Sequence, residues 1–138
     1  MNVLFFHNTS PEYRIPLFEE LSKRINVKFV FTRLEVNKKI YGNDVNSEKL
    51  SNINYISPKS GLSKYKEFYN EIRNHNVAVI VLPPLDSLGE YIEALYIFFI
   101  SKAYKKKIIY FWEKWEAPKN KTPYLKRIKN FIQRIMCK

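Results

Sequence analysis

A chain of 138 residues lies within the size of one domain, and its 46% hydrophobic content suffices for a packed core, which excludes a disordered chain. With 24 Lys and Arg against 13 Asp and Glu, the formal charge of +11 favours an anionic partner: a phospholipid surface, a phosphorylated small molecule or nucleic acid. Cys137 is the single cysteine, which excludes an internal disulfide and any multi-cysteine metal site and fits a reducing, cytoplasmic setting.

The first apolar run, residues 3–7 (VLFFH), has no basic flank and passes directly into polar residues, so it reads as a strand and not as a signal peptide. Ile15, Leu17, Phe18, Leu21 and Ile25 then recur at helical spacing, predicting a helix that begins near residues 13–16 with Pro16 in its first turn. A second strand follows at 27–32 (VKFVFT). The connection over 33–52 is polar and longer than usual, which marks it as mobile or functional. Residues 53–56 (INYI) give the weakest strand signal. Tyr65, Phe68, Tyr69 and Ile72 predict a helix over 62–74, and residues 77–82 (VAVIVL) a fourth strand.

Asp86 or Ser87 can cap a third helix running to about Lys102, apolar nearly all round and therefore expected to be deeply buried. Its most apolar stretch is bounded by Glu93 and Lys102, far short of the ~20 residues that cross a bilayer. Residues 108–112 (IIYFW) form a fifth strand, and Pro123 opens a fourth, amphipathic helix.

Strands alternating with helices are the pattern of βαβ units. The expected fold is therefore a three-layer, Rossmann-like α/β domain over residues 1–138, with a doubly wound parallel sheet of order 3-2-1-4-5. Three glycines are too few for a Gly-rich phosphate cradle, and neither a GxGxxG nor a Walker A sequence occurs.

Ligands of open parallel sheets sit beyond the carboxyl ends of the strands. Three loops fall there. In the first, HNTSPEYR, the residues His7, Asn8 and Arg14 precede a helix N-terminus, where anions are favoured; the alternative is that Asn8, Thr9 or Ser10 caps the turn and Arg14 is solvated. In the second, PPLDS, Asp86 either accepts a hydroxyl proton or caps the helix, and capping is the commoner role. In the third, FWEKWEAPKNKTP, Glu113 and Trp115 set a carboxylate beside an aromatic face, as suits a sugar ring, with surface packing as the alternative. His7 and His75 stand in no metal-ligand spacing, so no metal site is expected.

From residue 117 to 138 there are seven cations and no acid, among them Lys126, Arg127, Lys129 and Arg134. Beside them Leu125, Ile128, Phe131, Ile132, Ile135 and Met136 form a helical apolar stripe, which fits either a helix lying on an anionic membrane or one packed on the sheet.

Residues 2–31 (NVLFFHNTSPEYRIPLFEELSKRINVKFVF) resemble the opening of glycosyltransferase family 4 enzymes: strand, polar turn, a Pro-Tyr-Arg-like element, an I/P-L-F-x-x-L helix and a second strand. VAVIVLPP, the apolar helix, KKKIIYFWEKWE and the basic helix follow in the order of that family's amino-terminal domain, so the likeness spans nearly the whole chain. SPEYRIPLFEEL is its most specific part. The resemblance implies a GT-B architecture in which this half binds the acceptor, while a carboxyl-terminal domain or subunit binds the nucleotide-sugar donor. It implies no cofactor in this chain, no turnover by the chain alone, and retaining transfer to a lipid-linked or polysaccharide acceptor at the inner membrane face. His7, Asn8, Arg14, Asp86, Glu113 and Trp115 would border the acceptor cleft, with no catalytic residue identifiable. Asn8 and Thr9 replace the family's usual glycine pair, which speaks against donor-phosphate contact by this loop. The rival expectations are a stand-alone partner that recruits a separate donor-binding subunit to the membrane, and, with no supporting motif, a basic nucleic-acid-binding domain.

Overall fold

A computed structural model describes residues 2–34, 50–85, 87–110 and 134. Five strands, β1 (Asn2–His7), β2 (Asn26–Phe31), β3 (Tyr55–Ile56), β4 (Val77–Leu82) and β5 (Lys107–Tyr110), form one sheet of order β3-β2-β1-β4-β5. Every pairing is parallel, with Val3 opposite Val27 and Leu4 opposite Ile80 setting the central registers. The expected fold class and strand order are those observed.

Among the described residues three helices cover the sheet: α1 (Ile15–Arg24), α2 (Ser63–Arg73) and α3 (Leu88–Ala103). Side chains of a strand alternate between faces, so each central strand feeds two cores and reads as a continuous apolar run. Val3, Phe5, Val27, Phe29, Phe31, Val79 and Val81 pack with Ile15 and Phe18 of α1. On the other face Leu4, Phe6, Val30, Ile80 and Leu82 meet Phe68 and Ile72 of α2 and Ile97 and Phe98 of α3. The chain reverses direction after β3. Right-handed crossovers on either side of that reversal put α1 and the α2–α3 pair on opposite faces. The first core is markedly aromatic: Phe18 lies 4.9 Å from Phe29 and 5.6 Å from Phe31, ring centre to ring centre.

Helix boundaries follow local chemistry. A short 3-10 turn, Glu12–Arg14, precedes α1, and Pro16 falls in the first turn of that helix, where its missing N–H is harmless. Ser87 caps α3: its hydroxyl accepts from the Glu90 N–H, and the Glu90 carboxylate accepts from the Ser87 N–H at 2.8 Å, a reciprocal capping box. At the other end the Lys106 N–H donates to the Ser101 carbonyl and the Lys105 N–H to that of Lys102, closing a Schellman motif. Lys105 therefore takes φ 54°, where glycine is the usual occupant.

Three expectations need correction. Leu17 and Ile25, counted on the apolar face of the first helix, are 51% and 42% exposed, because α1 meets the sheet along Ile15, Phe18 and Leu21 only. The third strand is two residues long and not four: Leu50 and Ile53 instead enter the α1-side core as part of a turn. Helix α3 is buried on one side only, as set out below. Of the predicted terminal helix, only Arg134 lies within the described residues, and it is helical and exposed. Among the described residues no helix is long and apolar enough to cross a membrane.

Candidate functional site

The sheet reverses its winding between β1 and β4, the place at which open parallel sheets form a ligand crevice beyond their carboxyl ends. The loop after β1, the start of the connection after β2 and the first turn of α3 meet there. The Thr32 and Arg33 N–H groups donate to the carbonyls of His7 and Asn8 at 2.8 and 2.7 Å, so the chain after β2 is laced to the chain after β1.

His7 and Arg14, both expected to border the cleft, turn inward and bond to each other. His7 is 1% exposed, and its Nδ1 lies 2.7 Å from the Thr9 carbonyl oxygen, which can only accept. The proton therefore sits on Nδ1, which leaves Nε2 to accept from Nη1 of Arg14. Arg14 is 9% exposed, which overturns the alternative of a solvated side chain. Thr9 and Ser10 are buried as well, and no side-chain oxygen caps the 3-10 turn or α1; the capping alternative for Asn8, Thr9 or Ser10 fails too. This imidazole–guanidinium pair stiffens the loop and is not open to a substrate.

Asn8, half-buried, is the residue of that loop that reaches α3. Its Oδ1 accepts from the Thr9 N–H at 2.8 Å, and its Nδ2 donates to Glu90 Oε1 at 3.3 Å. Glu90 and Glu93, on the sheet side of α3, are 4% and 2% exposed. Burying two carboxylates is strongly unfavourable unless cations accompany them. Arg33 supplies one: Nη1 lies 3.7 Å from Glu90 Oε1 and Nη2 3.5 Å from Glu93 Oε1. Lys64, at the start of α2, supplies the other through Glu93 Oε1. The network is electrically neutral, two cations against two anions. Gly89 makes room for it, since a Cβ there would stand 2.8 Å from Arg33 Nη2. Glu93 Oε2 has no hydrogen-bond partner among the described residues.

This arrangement has a chemical consequence. At the start of α3 the Ser87 and Glu90 N–H groups are taken up by the capping box, and the Glu90 carboxylate sets a negative charge against the helix N-terminus, where a phosphate would otherwise be favoured. Arg33, by contrast, is held at 3.4 to 3.7 Å, longer than a good hydrogen bond, so its five N–H groups are incompletely used and its side chain is 29% exposed. A rim of one amide, one hydroxyl and one guanidinium can hydrogen-bond the hydroxyl groups of a ligand, and the Glu90 carboxylate beside the guanidinium opposes a second anion such as a diphosphate.

Of the residues singled out from sequence, Asp86, Glu113, Trp115, Lys126, Arg127 and Lys129 lie outside the described residues. Arg33, Lys64, Glu90 and Glu93 were missed. The Ser-x-x-Glu spacing at 87–90 and two acids inside an otherwise apolar helix were the available signals. No three His, Cys, Asp or Glu side chains gather as a metal site among the described residues. Comparison of the chain with known protein families, curated proteins and solved structures finds no match.

Proposed function

We propose that the chain is the acceptor-binding half of a retaining glycosyltransferase, working with a carboxyl-terminal domain or subunit that holds the nucleotide sugar. The resemblance of residues 2–31 to family 4 glycosyltransferases suggests the reaction class. The observation that carries the reading is the self-neutralised crevice. With the Glu90 carboxylate at the α3 N-terminus and no glycine cradle after β1, the described part of the crevice disfavours a diphosphate, while Asn8, Ser87 and Arg33 offer donors and acceptors spaced along its rim. In this reading Asn8 and Arg33 orient the acceptor, and the buried His7–Arg14 pair holds the Asn8 loop in place. The acceptor is lipid-linked or a polysaccharide, reached at the cytoplasmic membrane face.

Titration calorimetry tests the division of labour. UDP- and GDP-sugars should give no measurable heat with the chain, whereas an alkyl glycoside or a short oligosaccharide should bind weakly and lose that binding in Asn8→Ala and Arg33→Ala. Micromolar affinity for a nucleotide sugar would overturn the proposal.

A further inference from the structure

Helix α3 turns a continuous apolar stripe away from the domain. Leu88, Ile92 and Phe99 are 53%, 54% and 58% exposed. At about 100° per residue these three project within about 40° of one another, on the side opposite Glu93, Ala94, Ile97 and Ser101, which face the interior. The stripe runs about 16 Å along the helix axis. Such a run is not the seam for a neighbouring helix on the same sheet, since α2 already meets α3 along its flank, where Tyr65 and Tyr96 pack at 5.0 Å. It points straight out from the sheet.

Among the described residues, the exposed charges of α3 and of the turn and strand that follow it are all of one sign; Asp86 precedes the helix in sequence. Between residues 88 and 110 the only acids are Glu90 and Glu93, and both are buried and paired to Arg33 and Lys64. The exposed charges of the same stretch are Lys102, Lys105 and Lys107, at the far end of the helix. Lys106 is not among them: its ammonium is tied to the carbonyls of Asn74 and Val77. Exposed apolar residues along a helix, followed by exposed cations and with no exposed acid among the described residues of that helix, are what an anionic bilayer interface binds. A second copy of this chain would bring together two surfaces of a protein carrying +11, and the terminal segment 117–138 is itself cationic throughout.

We infer that the outer face of α3 is a docking surface for an anionic lipid bilayer, with Leu88, Ile92 and Phe99 entering the headgroup boundary and Lys102, Lys105 and Lys107 meeting lipid phosphates. The inference deepens the acceptor reading. The crevice lies at the Ser87 end of the same helix and on its sheet side, so a helix lying flat on the membrane holds Asn8 and Arg33 about one helix diameter, ~10 Å, above the lipid, within reach of the sugar of a lipid-linked acceptor. The lipid-linked class is thereby favoured over free polysaccharide.

The test is flotation with phosphatidylcholine vesicles and with equimolar phosphatidylcholine and phosphatidylglycerol vesicles, at low and high salt. The chain should float with the anionic vesicles, less so at high salt, and the triple variant Leu88→Ser, Ile92→Ser, Phe99→Ser should lose binding at least about tenfold with its circular dichroism unchanged. Should that variant fold poorly, doxyl-labelled lipid in bicelles of the same composition should broaden the methyl resonances of Leu88 and Ile92 in the unaltered chain. Absence of vesicle binding, retention of it by the folded variant, unbroadened methyl resonances, or a dimer that the variant dissolves would each overturn the inference. Saccharide binding is measured without lipid, so failure of the acceptor reading and failure of this surface are separable.

Discussion

The two sides of helix α3 are inverted relative to an ordinary surface helix. Its inner side carries Glu90 and Glu93, buried to 4% and 2% exposure, while its outer side carries Leu88, Ile92 and Phe99 in solvent. The contrast shows that partners, and not the hydrophobicity of the residue alone, decide what a helix buries. The carboxylates are inside because Arg33 and Lys64 come to meet them; the apolar residues are outside because nothing described in the domain covers them.

The largest effect should come from stripping the inner side of its cations. Arg33→Ala with Lys64→Ala leaves two buried carboxylates unpaired and should lower the unfolding free energy by about 3–5 kcal/mol in urea denaturation. Glu93→Met should cost far less, within about 1 kcal/mol, because Arg33 and Lys64 are partly exposed and can turn to water. Equal losses from the two changes would mean that the pairing does not hold the carboxylates in place.

The two ends of the helix sharpen the comparison at a smaller scale. Ser87→Ala removes the hydroxyl of the capping box and should cost about 1 kcal/mol. Lys105→Gly, which relieves φ 54° at the Schellman position, should stabilise by about 1 kcal/mol, read as a rise in the denaturation midpoint. Changes on the outer side should hardly touch stability. Each of Leu88→Ser, Ile92→Ser and Phe99→Ser should stay within about 0.5 kcal/mol, and a much larger loss would show that the stripe is packed against something in the folded chain.

The smallest effect concerns the tyrosine pair at the edge of α2 and α3. The 2.7 Å hydrogen bond that the Tyr104 hydroxyl makes to Tyr69, with some desolvation, raises the Tyr104 pKa above 10.0. The folded chain holds that proton more tightly than the unfolded one, so the contribution is complete below pH 10 and fades as pH rises through the raised pKa. Tyr69→Phe should move the Tyr104 titration, followed by NMR, back toward 10.0.

The layers were legible in sequence and the charge network was not. A sheet buried on both faces writes itself as short apolar runs such as VLFFH and VAVIVL, and the crossover rule then leaves few strand orders. Arg33 lies 57 and 60 positions from Glu90 and Glu93, however, and no local pattern announces a contact at that separation. The inward turn of His7 and Arg14 was hidden for a related reason: a polar loop at the carboxyl end of a strand reads as a binding loop whether its side chains face the ligand or one another. The exposed face of α3 was obscured because a helix apolar all round gives no moment from which to choose a buried side.

The central claim is that the crevice between β1 and β4 receives the hydroxyls of an acceptor and not the diphosphate of a donor. Amide chemical-shift mapping tests it most directly, with an alkyl glycoside and a nucleotide sugar titrated in parallel. The account predicts that the glycoside shifts the amides of Asn8, Arg33 and Gly89 while the nucleotide sugar leaves them in place. Saturable shifts of those three amides by the nucleotide sugar, with none from the glycoside, would contradict it.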